Sequence, residues 1–318
     1  GGLCPAGEDG RVTKTGTKMS DTEQTQAVPE TMTRPAPKRR DAPLPPNTQI
    51  DAVLQMLSKP GTGIDPEMQR KMRVVAKHLH AMLDELEIGE PELLVVYDFL
   101  NRVGANGDMM LLGDHIGLSM RANDIAYLQA KGTAPNVIGP LYREDAPFME
   151  NPGRMVEDDE PGRHITLKGQ VRDCETGAPL PGTVLDFWQS DEKGFYEDQR
   201  PDLPDYAFRR RITADAEGRY EFRTIVPGGY YIANRDTPVV ELTERVGLGS
   251  FRPPHIHLMV DAPGYTHLTT LIYFEGEPSN DHDAIFSFRP ENMARITEPP
   301  APGAPETCAF DIDLVPDA

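Results

Sequence analysis

The sequence predicts a mainly β protein with an α-helical N-terminal domain: a helical dimerisation domain followed by an antiparallel β-sandwich. Three observations carry this. Apolar residues recur with helical spacing only between about residues 47 and 138. After residue 139 that periodicity stops, and prolines and glycines become frequent. About seven short β-like runs then follow one another, separated by turns, which is the signature of a sandwich. The 318 residues are enough for a substantial core.

The elements follow in order. Residues 1–18, GGLCPAGEDGRVTKTGTK, lack the apolar stretch of a secretory signal and are expected to be a leader foreign to the native chain, with Met19 as its start. Residues 19–46 are polar and proline-rich, and are expected to form a disordered arm. Ile50, Val53, Leu54 and Leu57 mark one face of a short helix. Asp65-Pro66 reads as an N-cap with proline at the first helical position. Met68, Met72, Val75, Leu79, Met82 and Leu86 then recur at spacings of four and three, a heptad-like seam expected to end at Gly89. The seam could pack on its own domain; its length and methionine content favour pairing with a second subunit. A third helix starts near Pro91 and a fourth covers 108–121. The expected strands are 164–171, 183–190, 207–213, 219–226, 255–260, 267–274 and 308–315, with Asp215-Ala-Glu-Gly218 as a hairpin loop between two of them.

Charge and cysteines narrow the functional classes. Lys and Arg number 32 against 51 Asp and Glu, a net charge of −19. Such a surface repels phosphate backbones and anionic bilayers, so neither nucleic acid nor membrane is an expected partner. No apolar run is long enough to cross a bilayer. Beyond Cys4 in the leader, only Cys174 and Cys308 remain, too few for a disulfide framework, and a cytoplasmic location is expected.

The chemistry gathers around FRPPHIHLM. Residues two apart on a strand share a face, so His255 and His257 project together. Such a pair is either a metal site or two ordinary histidines, half-buried or exposed. Tyr196 follows the strand LDFWQS within DEKGFYEDQ, and Tyr230 and Tyr231 follow Gly228-Gly229, where glycine permits close backbone approach. Two imidazoles with two phenolates would suit Fe(III), whose charge would pull tyrosine below its ordinary pKa of about 10. Each tyrosine could equally be structural.

The stretches LDFWQSDEKGFYEDQ, RRRITADAEGRYEFRTIVPGGYY and FRPPHIHLMVDAPGYTHLTTLIYFEG, approached through VIGPLYREDAP, resemble in order the intradiol ring-cleaving dioxygenases of the catechol 1,2-dioxygenase and hydroxyquinol 1,2-dioxygenase type. The resemblance runs from about residue 47 to the C-terminus. It implies one non-haem Fe(III) per subunit held by Tyr196, Tyr230, His255 and His257, with Tyr231 one place late as a ligand. It implies a catecholic substrate cleaved by O2 to a cis,cis-muconate-type product. Arg252 takes the family's active-site arginine position, and Tyr230 is the ligand that leaves to accept a proton. Residues 139–318 become the catalytic domain. Residues 47–138 become the dimerisation and linker domain, building a homodimer with a possible bound lipid lined by Met68, Met72, Val75 and Leu79.

For the substrate pocket the resemblance implies Leu111, Asp114, Val137, Ile138, Gly139, Pro140, Leu141, Ile232 and Ile285, together with Arg252. Asp114 in an otherwise apolar pocket could accept a hydrogen bond from an extra ring hydroxyl, which with GFYEDQ and YYI leans toward hydroxyquinol over catechol; it could also brace its own helix. One departure stands out: Leu271 occupies a position that is commonly polar in the family. His164, His267 and His282 are expected to be ordinary surface or loop histidines. Readings from other classes remain: a non-catalytic β-sandwich binding module, and a zinc hydrolase, for which no third ligand is legible near the pair.

Overall fold

A computed structural model describes residues 43–127, 131–232, 237–299 and 301–317. The expected leader and residues 19–42 of the expected arm lie outside the described residues; residues 43–46 are exposed irregular chain. The chain divides into two compact units that part between Asp98 and Phe99.

The first unit is helical. Asn47 caps α1 (Thr48–Met56) by accepting from the Ile50 amide. The same side chain reaches Asp84 at 2.9 Å and His80 on α2 (Pro66–Leu86). Asp65 caps α2, accepting from the amides of Glu67 and Met68 with Pro66 in the first turn, as the sequence predicts. The helix ends earlier than expected, with Glu87 and not Gly89 in the left-handed conformation (φ 51°). The Met68–Leu86 seam points outward: Met68, Leu79 and Leu86 are all more than half exposed.

Next come α3 (Glu90–Ala105), α4 (Met109–His115) and α5 (Leu118–Tyr127). The single helix expected over 108–121 is thus two, broken where Gly117 takes φ 74°. A further helix, α6 (Pro238–Val246), contradicts the expectation that helices stop at 139. Its signals are local: Thr237 caps the Val240 amide, Pro238 opens the first turn and Gly247 closes the helix in the left-handed conformation.

The second unit is otherwise β. Its strands are β1 (Gly153–Arg154), β2 (His164–Asp173), β3 (Val184–Trp188), β4 (Arg209–Thr213), β5 (Arg219–Ile225), β6 (Tyr230–Tyr231), β7 (Phe251–Arg252), β8 (His255–Asp261), β9 (Leu268–Phe274), β10 (Met293–Thr297), β11 (Glu306–Ala309) and β12 (Ile312–Leu314). All seven expected strands exist, the last one divided into β11 and β12. The antiparallel sandwich does not. One ten-stranded sheet runs β1-β5-β2-β11-β10-β9-β8-β3-β4, with β12 also on β2. It is mixed: β1/β5, β9/β10, β2/β11 and β2/β12 are parallel. Alternation along a strand reports which face is buried, not the direction of its neighbour, so parallel pairs were invisible in sequence.

The sheet curls so that its two halves share one core. Phe187 of β3 packs on Phe222 of β5 at 4.7 Å between ring centroids and on Tyr220 at 5.5 Å. Ile165, Leu185, Ile256 and Ile272 are fully buried in the same cluster. The Asp215–Gly218 turn is tight, as expected, yet it makes no hairpin: β4 pairs β3 while β5 pairs β2, so the turn carries the chain from one half to the other. The odd-numbered residues of β8 face away from this core, and there the site lies.

Candidate metal centre and substrate cavity

The register of β8 brings the polar residues together. Trp188 pairs with His257, Leu271 with His257, and Tyr273 with His255 across neighbouring strands. Residues opposite one another in an antiparallel pair share a face, so these side chains crowd around the two histidines. The Nε2 atoms of His255 and His257 converge to 3.2 Å. His255 Nδ1 lies 2.6 Å from the Pro253 carbonyl, which can only accept; that bond puts the proton on Nδ1 and leaves a lone pair on Nε2. Trp188 stacks flat on the His257 ring, with centroids 4.6 Å apart and planes 9° apart.

Two tyrosines close the other side. The Tyr196 and Tyr230 rings meet edge to face at 5.6 Å, with Tyr230 5.8 Å from the His255 ring and Tyr196 6.4 Å from the His257 ring. The glycines before Tyr230 account for its placement. A Cβ on Gly228 would strike the Glu192 carbonyl at 2.6 Å, and one on Gly229 would strike Phe251 at 2.5 Å. Bare backbone lets this segment press between the 191–196 loop and β7, which sets Tyr230 beside Tyr196. Tyr231 is 58 % exposed and packs on Phe251 at the rim, so of the two adjacent tyrosines only Tyr230 faces the histidines.

The electrostatics suit a cation. Burial, reinforced by the Arg252 charge, pushes His255 down to about 3; burial, then the neighbouring His255 and Arg252, push His257 well below its ordinary value. Both imidazoles are therefore neutral bases at pH 7. Burial, then Tyr230, pushes Tyr196 up. Its hydroxyl is buried and, among the described residues, has no hydrogen-bond partner of good geometry, with Tyr230 its polar neighbour, which costs free energy unless something else meets the oxygen. Two neutral imidazole nitrogens and two phenol oxygens form a donor set that fits a hard trivalent cation. Among the described residues no group of three or more His, Cys, Asp or Glu side chains could hold a metal, so a metal here draws on the phenols.

A cavity opens beside this cluster. Leu111, Asp114, Gly139, Pro140, Leu141, Ile232, Arg252 and Ile285, residues that the resemblance implies for the substrate pocket, line it together with Tyr230, Tyr231 and Gln199. Val137 and Ile138 are not among its lining residues. Val137 is buried behind the wall with Leu111, Ile232 and Ile285, and Ile138 packs near Leu141, Trp188 and Tyr196. Asp114 is 1 % exposed, and among the described residues its Oδ1 has no hydrogen-bond partner. Burial raises its pKa, with Ser119 and the Arg252 charge opposing.

Residues 137–316 match the family model described as Dioxygenase, and residues 65–133 match that of the catechol dioxygenase N terminus. Hydroxyquinol 1,2-dioxygenase from a Rhizobium species is 32 % identical over 237 residues, covering 72 % of this chain and 79 % of that protein. The chain belongs to the intradiol ring-cleaving dioxygenase family. Catechol 1,2-dioxygenase from a Pseudomonas species is likewise 32 % identical, over 77 % of this chain and 85 % of its own. The crystal structure of hydroxyquinol 1,2-dioxygenase from Pseudomonas putida superposes with a TM-score of 0.75 at 28 % identity, covering 85 % of this chain and 98 % of that one.

This intradiol dioxygenase holds further residues at its site that sequence reasoning passed over. Asp283, Ser287 and Tyr273 surround Arg252. Trp188 stacks on His257. Arg209, 1 % exposed, pairs with Glu197 and lies over the Tyr196 ring at 5.8 Å. Asp283 sits two residues before Ile285, but nothing local marks it as an arginine's partner. His164 and His267 make local contacts, to Glu160 and Asp261. No helix among the described residues is long and apolar enough to cross a membrane.

Proposed function

We propose that this intradiol dioxygenase holds one Fe(III) per subunit through Tyr196, Tyr230, His255 and His257, and that it cleaves hydroxyquinol in preference to catechol. The observation that supports the metal reading is the convergence of two neutral, buried imidazoles on two phenols, one of them with an unpartnered oxygen. The net reaction adds both atoms of O2 to the ring and breaks the bond between the two hydroxylated carbons, giving a cis,cis-muconate-type diacid. The bound iron's contribution would be Lewis acidity, drawing charge from the catecholate and opening the ring to O2.

The chain's own residues do the rest. Tyr230, a phenolate while it holds the iron, would accept a proton from a substrate hydroxyl at Oη. Arg252, with Nη1 3.4 Å from Tyr230 Oη, faces the negative charge that develops on the substrate. Leu111, Ile232 and Ile285 clamp the flat ring and exclude water. Asp114 Oδ1, buried and unpartnered, accepts from the third hydroxyl of hydroxyquinol.

We assign residues 139–318 to catalysis and 47–138 to dimerisation, with α4 lending Leu111 and Asp114 to the cavity. The exposed apolar seam of α2 supports a homodimer through the N-terminal helices, and we assign to Met68, Met72, Val75 and Leu79 the apolar side chains that a bound lipid chain would contact. The free thiols Cys174 and Cys308 support a cytoplasmic location.

Oxygen uptake with catechol and hydroxyquinol side by side, with an ultraviolet scan of each product, tests the reading. The expected protein is red-brown from tyrosinate charge transfer and faster with hydroxyquinol. A colourless, iron-free and inactive protein would refute the metal assignment. Faster turnover of catechol would refute the substrate assignment alone.

A further inference from the structure

Arg252 is 2 % exposed, and its donors are divided unevenly. Nε reaches Asp283 Oδ1 at 3.1 Å. Nη2 reaches Asp283 Oδ2 at 3.3 Å, Ser287 Oγ at 2.7 Å and Tyr273 Oη at 3.4 Å. Among the described residues Nη1 has a single long contact, 3.4 Å to Tyr230 Oη. One edge of the guanidinium is thus saturated, and the other has as its neighbour Tyr230, which lines the same cavity as Arg252.

The saturated edge is itself braced. The Tyr273 and Ser287 hydroxyls both donate to Asp283 Oδ2, at 2.9 and 2.7 Å. Asp283 Oδ1 also accepts from the Ile285 amide at 3.3 Å, and Ile285 is a cavity wall. Tyr273 is the cross-strand partner of His255. One carboxylate therefore ties together the arginine, a wall residue and the strand that flanks the histidines.

Resting on the function proposed above, we infer that Asp283 is a positioning residue for ring cleavage: its braced carboxylate grips Nε and Nη2 of Arg252 and thereby aims Nη1 at the substrate and Tyr230. A guanidinium has five N–H groups in one plane, so gripping two nitrogens in a fork fixes where the third points. Arg252 holds the Asp283 carboxyl at about 2 against the burial that would raise it, so the grip stays ionic at every working pH. The reaction loses rate when the aim is lost, while the iron donors themselves are untouched.

The test uses iron-loaded full-length enzyme. Asp283→Asn keeps the shape and removes the charge of the grip. The expected result is a 10- to 100-fold fall in kcat, by about the amount that outer-shell partners commonly cost. KM is expected to change less than threefold, and iron content and the visible band are retained. Ser287→Ala, which removes one brace and leaves the ion pair, falls in the same direction by a smaller factor and covers the case in which Asp283→Asn does not fold. The deciding readout is non-additivity. In an Arg252→Gln background, Asp283→Asn costs nothing further, because it acts only through Arg252. A red Asp283→Asn enzyme within twofold of the parent would overturn the inference, as would losses that multiply in the double variant. A parent enzyme without iron or colour would instead overturn the metal assignment on which it rests.

Discussion

Asp114 offers the sharpest test of substrate choice. Its carboxylate is buried in α4 at the cavity wall, and Oδ1 has no hydrogen-bond partner. A hydrogen bond to a charged acceptor contributes about 1.5–3 kcal/mol. Asp114→Ala should therefore lower the ratio of kcat/KM for hydroxyquinol over catechol by roughly 10- to 100-fold, each 1.4 kcal/mol being a factor of ten. The change should come from the hydroxyquinol term. Catechol has no third hydroxyl to lose, and it gains by no longer sharing the pocket with a desolvated carboxylate. Burial raises the Asp114 pKa, so the charged acceptor is lost as pH falls through that raised value. The parent's preference for hydroxyquinol should weaken on acidification, and the Ala variant's should not. The assay is oxygen uptake with both substrates from pH 5 to 8. An unchanged ratio in a folded, iron-loaded variant would refute the reasoning and make Asp114 a brace between α4 and α5.

Three further outcomes are expected. Tyr196→Phe should lose colour and iron yet slightly stabilise the metal-free protein, by about 1 kcal/mol, because it deletes a buried hydroxyl without a partner; calorimetry of the apoprotein with iron analysis checks both, and retained iron would remove Tyr196 from the donor set. Burial pushes Asp186 up to about 6. A folded-state pKa raised above the unfolded one favours the fold below about pH 4, and that contribution is lost as pH rises through about 6. Asp186→Asn should then stabilise by at most about 3 kcal/mol at pH 8 and by little at pH 4, and equal shifts in Tm at the two pH values would contradict this. Replacing Met72 and Leu79 together by Glu should leave a monomer in analytical ultracentrifugation without loss of helix content, since both side chains are already exposed in the single chain; a dimer that persists would move the interface elsewhere.

What was legible in the sequence was local. Asp65-Pro66 opens α2 because a carboxylate accepts from the amides two and three residues on, and both partners are in one short segment. The seven β runs were legible because short β-like segments are set off by turns, and some alternate in burial, as β5 does with its exposed–buried repeat, while β3, β8 and β9 are buried along nearly their whole length. The pairing of His255 with His257 follows from the same period of two. The choice of Tyr230 over Tyr231 was legible only through the resemblance; the physical reason, a glycine segment wedged against Phe251 and the 191–194 loop, needed the coordinates. The α6 signals at Thr237, Pro238 and Gly247 were present, but they are confined to one short segment set among β-like runs.

Tertiary structure alone decided what lies far apart in the chain. Asp283, Ser287 and Tyr273 stand 31, 35 and 21 residues from the arginine they hold. The stacking of Trp188 on His257 depends on the β3–β8 register, and the parallel placement of β11 and β12 on β2 depends on how the chain returns. Side-chain chemistry and periodicity specify which face a residue presents. Which other residues meet that face is set by strand order and register, and those are chosen by the packing of the whole core.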